Sequence, residues 1–476
     1  MPKNLSFYTF YFLISLILMR GAGIVAKILL ARSITPYEYG LITLFVIVLP
    51  GLLQILTTFC FYDILGHATE GKKYLGFSFL FGTVALSILI TIFFIFHSVI
   101  FTFLNIPVNY WELLSIILFV VLFSVTMTGI IVGYLRGSRD YSMAATISAA
   151  PNILRVIFIF FAVYLFNIRD FSLIIIVFTI PFLFTLIPLI ILKSKAIRES
   201  LNPITIPSRD IFSFGLAFFL LNIWVGLSQQ INSVIISHDL GILWQGYFDV
   251  SLSIVTIITF FSSAMYLVTA PETTVKSTSD HVYQKGGLGD VARLFFSLSL
   301  LCVIIIFFYS HQLITILFTS NYTNAADHLF ILAVGYAILF IQQYVGYSNI
   351  STGRSGISRL IWVTGAGILL YPVFTHIMIG YFQFLGVYLA STIFIFAYTL
   401  VTIVLVEDKT PLVHLLKNSD RLVISILGTG IVLYLVQVSL VPGMITAGIV
   451  FVMFIIVTGY IDKEMILDML KFKNNS

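Results

Sequence analysis

Two cations, Arg20 and Lys27, stand in an otherwise apolar stretch that runs from Ser6 to Arg32. A spacing of seven residues is nearly two turns of an α-helix, so both project from almost the same face. The stretch is longer than the roughly 20 apolar residues needed to cross a bilayer. A charge at mid-bilayer costs about 2.5–3.5 kcal/mol even on lenient insertion scales. Two on one face therefore point to a face that meets water, protein or an anion instead of lipid. Arg155 is a third cation near mid-depth of another apolar run, and Asp249 opens a further one. Three cations against one carboxylate favour an anionic ligand, because Arg and Lys hold phosphate oxygens. Structural alternatives stand beside this reading: an ion pair or a carbonyl partner for Arg20 and Arg155, and snorkelling to the interface for Lys27 and Asp249.

A second polar group lies in the run Leu221–Ser233, which holds Asn222, Gln229, Gln230 and Asn232. Asn222 and Gln229 repeat the seven-residue spacing. Such amides either contact a hydroxyl-rich ligand or bond between helices, at about 0.6 kcal/mol each. Arg20, Lys27, Arg155, Asn222, Gln229, Gln230 and Asp249 are the candidate binding residues. Cofactors and metals are not expected. His97, His311 and His376 are scattered, and no His/Cys/carboxylate cluster has metal-ligand spacing. No Gly-rich phosphate loop and no nucleophile triad can be assembled, so the chain does not read as an enzyme. Cys60 and Cys302 both sit in apolar runs and form no disulfide framework.

The elements that carry these residues follow from composition. Of the 476 residues 59% are hydrophobic and only 9% charged, with mean hydropathy +1.08. An ordinary soluble domain is roughly 25% charged. The fold class is therefore an all-α polytopic membrane protein with about fourteen spans. They fall near 6–30, 40–62, 76–103, 111–135, 145–166, 170–192, 211–236, 245–270, 291–318, 327–350, 358–379, 383–406, 421–440 and 443–460. A transmembrane barrel would show alternating segments of about ten residues instead. The first span is too long, and lacks the cleavage site, to be a signal peptide.

With the N-terminus inside, twenty of the 25 Lys and Arg residues fall in cytoplasmic segments. Arg32 and Arg169 fall outside. That asymmetry is the positive-inside pattern and predicts both termini in the cytoplasm of a cell-membrane protein. The net charge of +5 belongs to this pattern and carries no implication of nucleic-acid binding. All loops are short, so no extramembrane domain is expected.

A weak repeat links Ile28–Gly40 to Val234–Gly246: an aliphatic span end, a polar turn, then a Gly opening the next span. If spans 1–6 repeat as 7–12, the halves share one orientation about an axis along the membrane normal. The expected domains are an N-terminal six-helix lobe at 1–192, a cytoplasmic linker at 193–210 and a C-terminal six-helix lobe at 211–406. Two extra helices and a cytoplasmic tail complete the chain at 407–476.

The segment Arg20–Gly40 resembles the first hairpin of the Wzx-type polysaccharide-biosynthesis flippases, within the multidrug/oligosaccharidyl-lipid/polysaccharide exporter superfamily. Gly133–Tyr141, Pro271-Glu272, Leu317–Tyr322 with Ala325 and Ala326, Ser351–Arg354 and Gly386–Ser391 resemble later family motifs, in the family's order. The resemblance implies two six-helix lobes around a central cavity, open alternately to each side. It implies transfer of a polyprenyl- or dolichyl-phosphate-linked oligosaccharide from the inner to the outer leaflet. The implied partners are that lipid-linked substrate, membrane lipids and glycan-assembly enzymes, with the protein itself a monomer. Asn232 departs from the acidic residue the family often has in this span, and Ile379–Gly386 departs from its proline and small-residue pattern. The alternative is a cation-coupled multidrug or metabolite antiporter of the same superfamily, against which the scarcity of mid-span acids argues. A glycosyltransferase or glycan polymerase would need large loops that this chain lacks.

Overall fold

Once the chain is committed to hydrocarbon, each backbone N–H and C=O must bond within its own segment, and helices do this. The computed structural model is accordingly helical throughout, with no strand among the described residues. It describes the backbone of 5–460 except 59–60, 62–63, 66–70, 139, 276–286, 351–353 and 407–408. Side-chain surroundings are described except at those residues and at 5–17, 71–72, 141, several positions in 213–220, 221–229, 263–275, 287–288, 346–350, 354–364 and 368. The predicted motif Ser351–Arg354 and the tail beyond Tyr460 therefore lie wholly or largely outside the description.

The chain begins with α1 (Leu5–Ala31), α2 (Pro36–Thr43), a π-helical turn (Leu44–Val48) and α3 (Leu49–Thr58). Next come α4 (Leu75–Phe103), α5 (Trp111–Gly137), α6 (Tyr141–Ile159), α7 (Phe171–Ser200) and α8 (Arg209–Asp239). The order then runs α9 (Ile242–Val275), α10 (Gly287–Leu317), α11 (Leu329–Ile350) and α12 (Arg354–Leu405). A short α13 (Thr410–Leu415), α14 (Ser419–Val436) and α15 (Leu440–Val457) finish the chain. Away from their ends, the described residues of the predicted spans are helical; that at 40–62 comprises α2, the π-helical turn and α3, and that at 145–166 runs from α6 into a second π-helical turn, Phe160–Leu165. Ten of the described helical segments are long and apolar enough to cross a bilayer.

Two differences from the expected boundaries have local causes. The spans expected at 358–379 and 383–406 follow each other with no loop between them: α12 is two helices that meet at Gln383, whose φ of 50° and ψ of −129° are non-helical. The break falls between Gly380 and Gly386, the turn-forming residues of this stretch. Helix α7 runs to Ser200, past the expected end at 192. Lys195 and Glu199 pair at i,i+4 on this extension, which the Asn202-Pro203 step stops.

The helices form two compact units. One comprises Met1–Asp249 with Thr364–Phe384; the other comprises Val250–Val363 with Leu385–Ser476. The first has its main core between α3 and α7, around Phe61, Ile64, Ile131, Leu135 and Leu189, with Phe212 of α8 against it. The second is centred on Phe296, Phe340, Tyr344, Phe451 and Ile455, from α10, α11 and α15. Arg293 and Arg421 fasten the C-terminal end of α15 in this unit. Arg293 Nη2 donates to the Tyr460 carbonyl at 2.8 Å, and Arg421 Nη1 to that of Gly459 at 2.8 Å. The apolar side chains that the two units expose, such as Ile95 on α4 and Leu435 and Val457 on α14 and α15, suit a lipid solvent.

The start of α2 is built by its sequence. Thr35 and Glu38 form a capping box with Pro36 at the first helical position. Thr35 N donates to Glu38 Oε2 at 2.9 Å, and Glu38 N to Thr35 Oγ1 at 3.3 Å. That sharp start places Gly40 one turn into α2. Gly241, at φ 99°, ends α8 and places Gly246 one turn into α9.

Candidate functional site

Gly40 and Gly246 bring α2 and α9 into backbone contact. A Cβ on Gly40 would lie 2.2 Å from the Ile242 carbonyl oxygen, and one on Gly246 would lie 2.3 Å from that of Pro36. Only glycine permits this approach at either position. The contact is reciprocal, and it joins the two segments that the sequence repeat paired.

Beside it lies the most concentrated charge among the candidates. Lys27 Nζ, near the end of α1, donates to Asp249 Oδ1 of α9 at 2.9 Å. Tyr39 of α2, next to Gly40, donates its hydroxyl to Asp249 Oδ2 at 2.6 Å. The Asp249 side chain is 5% exposed and that of Lys27 19%. One carboxylate thus ties three helices at one point. The pairing replaces the snorkelling alternative: each residue answers the other's desolvation. Gln245 sits one turn before Asp249 on α9 and is fully buried, with neither amide atom bonded to any described residue.

Deeper along α1, Asn152 of α6 donates to the Met19 carbonyl at 3.1 Å and lies against Gly23. Its Oδ1 accepts from Arg155 Nη1 at 3.2 Å. Arg155 is 6% exposed, donates through Nε to the Phe178 carbonyl at 3.0 Å, and is stacked 4.2 Å from the rings of both Phe178 and Phe182. Its Nη2 has no hydrogen-bond partner among the described residues. The α1 turn bearing Arg20 is thereby fixed to the Arg155 site through Asn152, and Arg20 itself is half-buried.

The amides are placed less completely. Gln230 lies over Gly51 of α3, with its Nε2 3.0 Å from where a Cβ on that glycine would be. The side chains of Asn222 and Gln229 lie outside the described residues. Asn232 is buried, donates to the Tyr371 hydroxyl and accepts from Thr375 Oγ1 at 3.0 Å. Near the same end of the unit as Lys27, His376 Nδ1 and Asp239 Oδ2 are 2.7 Å apart. No metal-binding group of His, Cys, Asp or Glu occurs among the described residues.

The structure therefore joins Lys27 to Asp249 and the Arg20 turn to Arg155, all within one unit. Sequence reasoning missed Tyr39, Asn152 and Gln245. Asn152 was within reach of it, three residues before Arg155 and so on the same helical face. Tyr39 adjoins Gly40 in a quoted motif, but nothing local in the sequence connects it to a residue 210 positions away.

The described residues thus form helices apolar enough to cross a membrane, with charged and amide side chains gathered inside them. Residues 29–327 match the family model described as polysaccharide biosynthesis protein, and the chain belongs to that family. The fold is similar to "Lipid II flippase MurJ, inward closed conformation", at TM-score 0.60 and 15% identity, covering 93% of this chain and 97% of that one. It is also similar to an inward-facing multidrug resistance MATE family transporter of the MOP superfamily. There the TM-score is 0.55 and the identity 14%, covering 84% and 96%. A MATE protein in complex with MaD3S matches at TM-score 0.53 and 14% identity, covering 83% and 94%. No curated protein matches the chain. The chain is thus a multi-pass membrane protein of the polysaccharide biosynthesis family, with a fold like that of these solved structures.

Proposed function

We propose that this protein flips a polyprenyl- or dolichyl-phosphate-linked oligosaccharide from the inner to the outer leaflet by alternating access, for surface polysaccharide or glycoprotein synthesis. The observation that carries this reading is the charge within the spans: Arg20, Lys27 and Arg155 against Asp249 alone, in a chain of this family. The Asp249 pair neutralises one of those cations and leaves the balance positive. A phosphate crossing a low-dielectric interior needs such cations, and a polyprenyl tail can stay in lipid while it crosses.

Arg20 and Lys27 hold the phosphate on one face of α1. Arg155, already bonded on two of its nitrogens, orients the Arg20 turn through Asn152. Asn222, Gln229 and Gln230 contact sugar hydroxyls. Both termini are cytoplasmic, the membrane is the cell membrane, and two six-helix lobes, 1–192 and 211–406, rock about the substrate path. The protein works as a monomer beside glycan-assembly enzymes, and it carries a substrate without reacting with it.

The test is transfer of a fluorescent polyprenyl-phosphate oligosaccharide between the leaflets of proteoliposomes, read by lectin capture at the outer face. Wild-type protein is expected to accelerate transfer, and Arg20→Ala to abolish it while the protein remains folded and inserted. Full transfer by Arg20→Ala/Lys27→Ala sinks the phosphate reading. The MATE neighbours and the presence of Asp249 within a span favour one second reading, a cation-coupled multidrug or metabolite antiporter. Drug efflux from cells expressing the protein, without lipid transfer, selects it.

A further inference from the structure

Asp249 has a role that the proposed function does not use. It is an anion already seated on Lys27, one of the two cations assigned to the substrate phosphate. Lys27 and Arg20 share a face of α1 seven residues apart, roughly 10 Å along the helix. The Lys27 ammonium is the more accessible member of the pair and the carboxylate the more enclosed one. A phosphate moving along that face from Arg20 thus meets the cation, with the carboxylate behind it.

The consequence of that meeting is set by what else Asp249 holds. Its second oxygen accepts from Tyr39, which adjoins Gly40 at the backbone contact of α2 and α9. Carboxylate and glycine contact together close the end of this unit that the loop charges assign to the outside. If Lys27 exchanges Asp249 for a phosphate, a buried carboxylate loses the cation on which it is seated. Such a charge is strongly destabilising until water reaches it. Water reaches it only when α9 separates from α1 and α2. Among the described residues, Lys27 from α1 and the Tyr39 hydroxyl from α2 face Asp249, and Gln245 on its own helix supplies a buried amide to bind entering water.

We infer that Asp249 is an internal stand-in for the substrate's anionic group: it latches the outer end while it holds Lys27, and a lipid phosphate that takes Lys27 releases the latch. The release half rests on the phosphate reading above; the latch half rests only on the geometry of Lys27, Tyr39, Gly40, Asp249 and Gly246.

The experiment places a reporter thiol at Ile242, buried at the glycine contact, in full-length protein carrying Cys60→Ser and Cys302→Ser, in proteoliposomes. Labelling by a membrane-impermeant maleimide is followed from the outer face. The parent is expected to label slowly and the Asp249→Asn variant about tenfold faster, since the amide removes the ion pair but preserves shape. Polyprenyl phosphate should raise labelling of the parent several-fold. Neutral polyprenol and inorganic phosphate should not, which assigns the effect to a lipid-borne phosphate. The charge swap Lys27→Asp/Asp249→Lys should restore slow labelling and lose the polyprenyl-phosphate response.

Labelling of Asp249→Asn as slow as the parent's, at an unchanged size-exclusion profile, overturns the latch. Polyprenyl phosphate that binds, by thermal shift, without raising labelling overturns the release. Labelling raised equally by sodium or acid alone overturns the release in favour of a cation. Absence of polyprenyl phosphate binding with fast labelling of Asp249→Asn refutes the substrate reading and leaves the latch supported.

Discussion

Replacing Gly40 by alanine tests one of the closest backbone approaches described in the protein. The added Cβ would stand 2.2 Å from the Ile242 carbonyl oxygen, against 3.0 Å as the limit real Cβ atoms respect. Helices α2 and α9 must then part by about 0.8 Å at this point, because the obstructing atom is main chain and cannot rotate away. Overpacking of this kind costs about 1–3 kcal/mol, and a rigid obstacle puts it toward the upper end. The same displacement stretches the Tyr39–Asp249 bond from 2.6 Å toward about 3.4 Å, outside the range of an O–H···O hydrogen bond. Gly246→Ala meets the mirror obstacle at 2.3 Å, so the two variants should lose similar stability. Once either has parted the helices the other finds room, so the double variant should lose clearly less than the sum. The assay is the midpoint of heat-induced loss of the monodisperse peak in detergent, with Gly448→Ala as control. Apart from its own helical turn, nothing lies within 4 Å of a Cβ there, so that midpoint should hold or rise. Wild-type midpoints for Gly40→Ala and Gly246→Ala together would refute the reciprocal contact.

Two further outcomes follow from the buried polar groups. Arg155→Ala removes two hydrogen bonds and two ring contacts, and should lower stability by about 2–4 kcal/mol in the same heating assay, with Arg155→Lys failing to recover it. An Arg155→Ala protein as stable as wild type would refute the clasp between α6 and α7. Asn232→Leu removes a buried amide bonded to both Tyr371 and Thr375, at a cost of about 1–3 kcal/mol, and Tyr371→Phe in the same background should recover part of it.

How much of this was legible in the sequence depends on the range of the interaction. Apolar runs of bilayer length must be helical wherever they fall, so the described residues of the predicted spans are helical away from their ends. The Thr35-Pro-Tyr-Glu start and the Gly241 stop are local rules, visible as written. The Lys27–Asp249 pair was not legible, because 222 residues separate its members and no periodicity says which helical faces meet. Each residue alone is equally compatible with the interface. Arg155 shows the same limit differently: mid-span depth was readable, but the two phenylalanine rings and the carbonyl that enclose it come from α7, whose packing angle the sequence does not state. Gln383 marks a third case: two spans with a break between them were readable, but not that the break would fall on a glutamine with positive φ.

The glycine contact also has a symmetry of its own. Pro36 and Ile242 stand at matching positions of the two repeated segments, as do Gly40 and Gly246. Each glycine faces the carbonyl of the other segment's matching first residue. That is the contact rule of an isologous two-fold interface, in which one patch recognises its own copy. The two patches match in backbone but not in side chains: Tyr39 in the first corresponds to Gln245 in the second, and Thr43 to Asp249. The single carboxylate at this point is an asymmetry written onto a symmetric joint.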